Sequence, residues 1–210
     1  MKVDGVMAII FSNNFPANNH QAIAEYLVKI ASGKIDSSIK NKVIKGTLTV
    51  SEPLRIYDMA FKELVAGTPL DNLNRCFWRH LLLDKHQDMQ AIAEIELTEV
   101  RNKTQRLVAK VAALHQGARA EGTRKALEAA QKLCHQVTKS EYEIALVQCD
   151  DVYFMALWLK NISGGEDLFL PVEPDQTSLN NTQPYTLAQI TEVLQPLSIA
   201  AQQALLTAGG

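Results

Sequence analysis

Two adjacent carboxylates, Asp150 and Asp151, stand inside an otherwise apolar stretch, with Ala145-Leu146-Val147 before them and Val152-Tyr153-Phe154-Met155 after. Carboxylates in such surroundings are costly unless they are paired, hydrogen-bonded or bound to a cation. Two chemistries answer this demand. In the structural one, Asp151 emerges at the edge of a helix bundle and Asp150 pairs with an Arg or Lys. In the functional one, Asp150 and Asp151 join Glu96 and Glu99 in an acidic magnesium site, because the E-x-x-E spacing of the two glutamates puts both on one face of a helix.

The stretch from Glu128 to Leu159 is similar in hydrophobic texture to the all-α nucleotide pyrophosphohydrolases of the MazG kind, whose pattern is an E-x-x-E helix followed by an E-x-x-D helix. The resemblance implies metal-dependent nucleotide hydrolysis. It departs at Gln131, which stands where the second Glu would be, and at Val147 or Gln148, where the Glu before the Asp would be. The acidic set is incomplete at those two places.

Charge is distributed unevenly. Residues 101–139 hold nine Lys or Arg against two acids, and residues 140–210 hold one Lys against nine acids. Arg101, Lys103, Arg106, Lys110, Arg119, Arg124 and Lys125 would suit nucleic-acid phosphates if they shared a face. No Phe, Tyr or Trp falls between Arg79 and Glu141, so no stacking platform accompanies the cations, and mutual neutralisation of the two segments is the simpler reading.

Other reactive residue types form no motif. The histidines are His20, His80, His86, His115 and His135, with no H-E-x-x-H, and His80 with Asp84 reads as a surface pair on a helix. There is no G-x-S-x-G, P-loop or G-x-G-x-x-G. Cys76, Cys134 and Cys149 are odd in number and far apart, which supports neither a disulfide framework nor a zinc site. As a nucleophile, Cys149 would be blunted by Asp150 and its apolar setting.

The elements that must hold these residues are read mostly as helices. Val3 to Phe11, Val43 to Val50 and Leu168 to Val172 are strand candidates, enough for one small sheet. Asn18 followed by Ile23, Leu27 and Ile30, closed by Gly33, has helical spacing. Ser51-Glu52-Pro53 and Thr68-Pro69 look like helix starts. From Asp71 to His115 there is no Gly or Pro, and Ala93, Leu97, Val100, Thr104, Leu107, Val111, Leu114 and Ala118 alternate in steps of four and three, the signature of a heptad seam. Gly117 and Gly122 bracket a break, a helix follows with Ala126, Ala130 and Leu133 on its apolar side, and Ser140-Glu141 starts another, apolar nearly all round, that reaches Lys160. Thr186 to Thr207 forms a last helix, which Pro196 must kink or split.

The expectation is therefore a mainly α protein: a multi-helix bundle with one long helix over about residues 71–116 and a small β element from the N-terminal region. Residues 1–50 form a mixed segment packed on the bundle, 51–163 the bundle core, and 164–210 a loop and C-terminal helix pair. With 47% hydrophobic and 21% charged residues over 210 positions, the composition is that of a globular chain rather than a disordered one. No apolar run approaches the roughly 20 residues of a membrane span, and Val6 to Phe11 is too short for a signal-peptide core, so the expected compartment is the cytoplasm. The functional expectation is a non-catalytic interaction or regulatory protein that self-associates as a homodimer through its coiled-coil seam, with a protein partner, no cofactor, and neither membrane nor nucleic acid as a partner. The alternatives are a divergent magnesium-dependent all-α nucleotide pyrophosphohydrolase built on Asp150, Asp151, Glu96 and Glu99, and a nucleic-acid binder using Arg101, Arg106, Lys110, Arg119 and Arg124.

Overall fold

Alternation with a period of two, rather than a helical seam, governs the middle of the chain. The computed structural model describes residues 8–11, 18–66, 76–86, 88–100, 106–134, 141–174 and 177–208. In order these form β1 (Ala8–Phe11), α1 (Asn19–Ala31), α2 (Lys40–Ile44), β2 (Thr49–Val50), β3 (Leu54–Asp58), α3 (Phe61–Val65), β4 (Cys76–Leu83), β5 (Met89–Val100), β6 (Arg106–His115), α4 (Ala118–Cys134), β7 (Glu141–Cys149), β8 (Phe154–Asn161), β9 (Leu168–Pro171) and α5 (Leu187–Ala208). The chain is a mixed α/β protein. It divides into unit I, residues Ser12–Arg55 with Phe77–Glu121, and unit II, residues Met1–Phe11, Ile56–Cys76 and Gly122–Gly210.

In unit I, β4, β5 and β6 run antiparallel, with β2 paired to the end of β4. Successive side chains on a strand point to opposite faces. Ala91, Ala93 and Ile95 of β5 therefore join Trp78, Leu82, Ala109 and Val111 in one core, which Ile23 and Ile30 of α1 and Ile39 complete. Ile92 and Glu94 take the other face. In unit II, β7 and β8 form an antiparallel hairpin, β9 pairs with β8, and β1 runs parallel to the first half of β7. Ala145, Val147, Ala156, Trp158 and Phe169 pack with Phe61 and Leu64 of α3 and Ile190 and Leu194 of α5.

These observations overturn the all-α, helical-bundle and coiled-coil expectation. Residues 71–116 are no long helix: their described part is the β4, β5, β6 meander, and the seam positions from Ala93 to Leu114 fall on β5 and β6 or, like Thr104, outside the described residues. The β4–β5 turn needs no glycine because Asp84 builds it. Its Oδ1 accepts the backbone N–H of His86 (2.9 Å) and of Asp88 (3.2 Å), and its own N–H donates to the Asp88 carbonyl (2.9 Å). Of residues 140–160, read as a central helix, the described ones from 141 on are the β7–β8 hairpin, whose strands are buried on both faces and so show no alternation. Its turn is a single 3₁₀ turn, Asp150–Val152, closed by Tyr153 in the left-handed region (φ 49°), again without glycine.

Other readings fare differently. Ser51-Glu52-Pro53 leads into β3, not a helix, and residues 43–50 hold the end of α2 as well as β2. Thr68-Pro69 and the residues before Ala8 lie outside the described residues. The α1 helix with Gly33 (φ 76°) after it, β9 and α5 stand where expected, and α5 continues through Pro196. Gly122 lies inside α4 rather than in a break. A Cβ there would sit 1.8 Å from the Glu173 carbonyl oxygen, so only glycine lets the helix backbone approach the segment after β9 this closely.

Candidate functional site

Among the described residues of unit II, a groove of about 220 Å³ is lined by Lys125, Glu128, Ala129, Lys132 and Leu133 of α4 and by Thr182. The five α4 positions follow i, i+3, i+4, i+7, i+8, which on a helix is one continuous stripe. Ala129 and Leu133 supply apolar wall, and the two lysines and Glu128 flank it.

The opposite wall is placed by a chain of hydrogen bonds. Asn180 Oδ1 accepts from the Thr182 N–H (2.9 Å) and hydroxyl (2.7 Å), and the Asn180 N–H donates to the Tyr185 hydroxyl (2.9 Å). The Tyr185 backbone then pairs with Phe169 of β9, N–H to carbonyl in both directions at 2.8 and 2.9 Å. Thr182 is thus tied to the sheet. On α4, Arg124 pairs with Glu128, and Lys125 Nζ lies 3.3 Å from Glu173 Oε2.

No known protein family, curated protein or solved structure matches this chain. Its site rests on geometry alone.

The carboxylates singled out from the sequence are divided between the units, Asp150 and Asp151 in unit II and Glu96 and Glu99 in unit I. Asp151 accepts the Phe61 N–H, the first amide of α3, with both oxygens, and Asp150 Oδ1 accepts from Gln148 Nε2 at 2.7 Å. The structural expectation for Asp150 named an Arg or Lys; the partner found is an amide. Glu96 and Glu99 are on β5, a strand rather than the helix that the E-x-x-E spacing was read for. Glu96 lies 3.9 Å from Lys110. Among the described residues no group of three or more His, Cys, Asp or Glu is placed to hold a metal ion. The described residues of the Glu128 to Leu159 stretch are the end of α4 and the β7–β8 hairpin, so the second helix that the pyrophosphohydrolase resemblance implies is replaced by strands there.

The basic residues do not share one helix either. Arg101 lies outside the described residues, Arg106 and Lys110 are on β6, and Arg119 and Arg124 are on α4. Lys110 and Arg124 are each turned to a glutamate. No helix among the described residues is long and apolar enough to cross a membrane.

Sequence reading missed two polar clusters, both in unit I. Arg79, fully buried on β4, faces its cross-strand partner Glu94, whose Oε2 lies 3.0 Å from His115 Nε2. Burial works to raise the Glu94 pKa, but the bond from His115 and the Arg79 guanidinium outweigh it and hold the carboxyl at about 2. On the other face His80, also fully buried, donates from Nδ1 to the Ser51 carbonyl (2.9 Å) and accepts at Nε2 from Asn19 Nδ2 (3.3 Å). The available signal was Trp78-Arg79-His80 within an apolar run of aromatic residues and leucines, Phe77 to Leu83, where adjacent polar residues on a strand face opposite ways. In unit II, burial pushes the Cys149 thiol up, and Asp151, Asp58, Asp150 and Glu63 add to the shift, so it remains protonated and inert.

Proposed function

We propose that this chain is a non-catalytic binding protein whose α4 groove receives a segment of a partner protein. The observation that supports the reading is the groove itself. Its volume of about 220 Å³ is below the roughly 300–1,000 Å³ of small-molecule and cofactor sites, and suits one or two side chains. An aliphatic side chain would lie on Ala129 and Leu133, and a neighbouring carboxylate would meet Lys132. Self-association through a helical seam has lost its basis, since the described seam positions from Ala93 to Leu114 lie on β5 and β6.

The test is a titration of ¹⁵N-labelled protein with a short acidic leucine peptide (Asp-Leu-Glu-Leu-Asp, capped at both ends) and with its lysine counterpart. The acidic peptide should shift the Ala129, Leu133 and Thr182 amides, and Lys132→Glu should weaken it by about fivefold, the equivalent of about 1 kcal/mol. Equal binding of the lysine peptide, or no shift along α4, would remove the proposal.

A further inference from the structure

His80 lies at a contact that holds α1 on the sheet of unit I. The ring has no exposed surface, and both nitrogens are committed, Nδ1 as donor to the Ser51 carbonyl and Nε2 as acceptor from the Asn19 amide. Asn19 is in the first turn of α1 and is itself buried, and its neighbour His20 sets its ring edge-on to His80, with centroids 5.3 Å apart. From the strand side, His80 is opposite Ala93 of β5, which carries no charge. Glu52, beside Ser51, is the acid whose charge favours protonation of His80, while burial and His20 oppose it.

We propose that Asn19, His20 and His80 form an acid-sensitive latch, and that protonation of His80 releases α1 from the sheet. The proton comes from solvent and goes to Nε2. That nitrogen then becomes a donor facing the donor Asn19 Nδ2, so the bond across the contact is lost. If the Asn19 amide turns over to offer its oxygen, a cationic ring still remains in the core, against the edge-on ring of His20 and near the positive end of α1. The helix has 13 residues, too few to be stable alone in water, so its order depends on seating Ile23 and Ile30 on the sheet. Release would uncover that apolar surface. The device lies in unit I and is independent of the α4 groove.

The test is amide hydrogen exchange on the full chain, corrected for the intrinsic pH dependence, at pH 7.5 and 5.5. Protection of the α1 amides should fall at least tenfold at the lower pH while that of Ile190 and Leu194 in α5 is unchanged, and His80→Gln, which cannot charge, should abolish the fall. Asn19→Asp supplies a carboxylate to the protonated ring and should keep α1 protected at pH 5.5. Constant α1 protection, a parallel fall in α1 and α5, a fall that persists in His80→Gln, or wild-type release in Asn19→Asp would each overturn the latch.

Discussion

The carboxylate of Asp151 receives the Phe61 N–H on both oxygens, at 3.1 and 3.0 Å. This joins the β7–β8 turn to the first amide of α3, a group that no helical carbonyl can satisfy. The cost of an acid in an apolar stretch is offset by a helix cap contributed from 90 residues away in sequence.

Asp151→Ala should therefore destabilise the protein by about 1 kcal/mol, within the range for losing a capping side chain. Millimolar magnesium should leave the melting temperature of wild type and variant unchanged, since these oxygens are engaged by an N–H. Thermal denaturation with and without magnesium checks both statements.

Gly122→Ala would ordinarily gain up to about 1 kcal/mol in a helix. Here the added methyl meets the Glu173 carbonyl at 1.8 Å, and both sides of the contact are backbone. The expected outcome is a net loss of about 1–3 kcal/mol, as in other overpacked sites, measured by urea denaturation, together with weaker peptide binding in the groove as α4 shifts.

The Glu94 carboxyl is held at about 2 in the folded chain against its ordinary 4.5. The folded state thus binds fewer protons than the unfolded one, so its contribution is complete above about pH 4.5 and disappears as pH falls towards 2. Its size is about 2–3 kcal/mol after allowance for the part of the group that meets water. Stability measured between pH 6 and 2.5 should fall less steeply in Glu94→Gln than in wild type.

Ile95 is fully buried on β5, within the core that α1 covers. Ile95→Ala should cost about 2–4 kcal/mol, whereas Glu96→Ala, on the other face and paired with Lys110 only at 3.9 Å, should change stability by less than about 0.5 kcal/mol. Denaturant midpoints of the two variants give the comparison.

Local signals carried part of this fold. Asn18, Ile23, Leu27, Ile30 and Gly33 specify α1 through helical spacing and a terminal glycine, and the α4 residues from Ala126 to Leu133 were legible as an amphipathic helix for the same reason. The lysines and Glu128 of the groove were visible as charges on that helix, but Thr182 was not, because what places it is the Asn180, Tyr185 and Phe169 relay to β9.

What sequence alone determined is where the chain is apolar and where it is charged; whether the apolar runs became helices or strands was decided by tertiary pairing. Residues 144–159 are apolar in nearly every position, a pattern shared by a buried helix and by strands covered on both faces. Ala, Leu and Glu in β5 favour helices intrinsically, yet a hairpin lets Ala93 and Ile95 reach one core while Glu94 reaches Arg79. The β4–β5 and β7–β8 turns are closed by the Asp84 side chain and by Tyr153 at φ 49° rather than by glycine or proline, so the breaks that would have marked these two turns in the sequence do not exist.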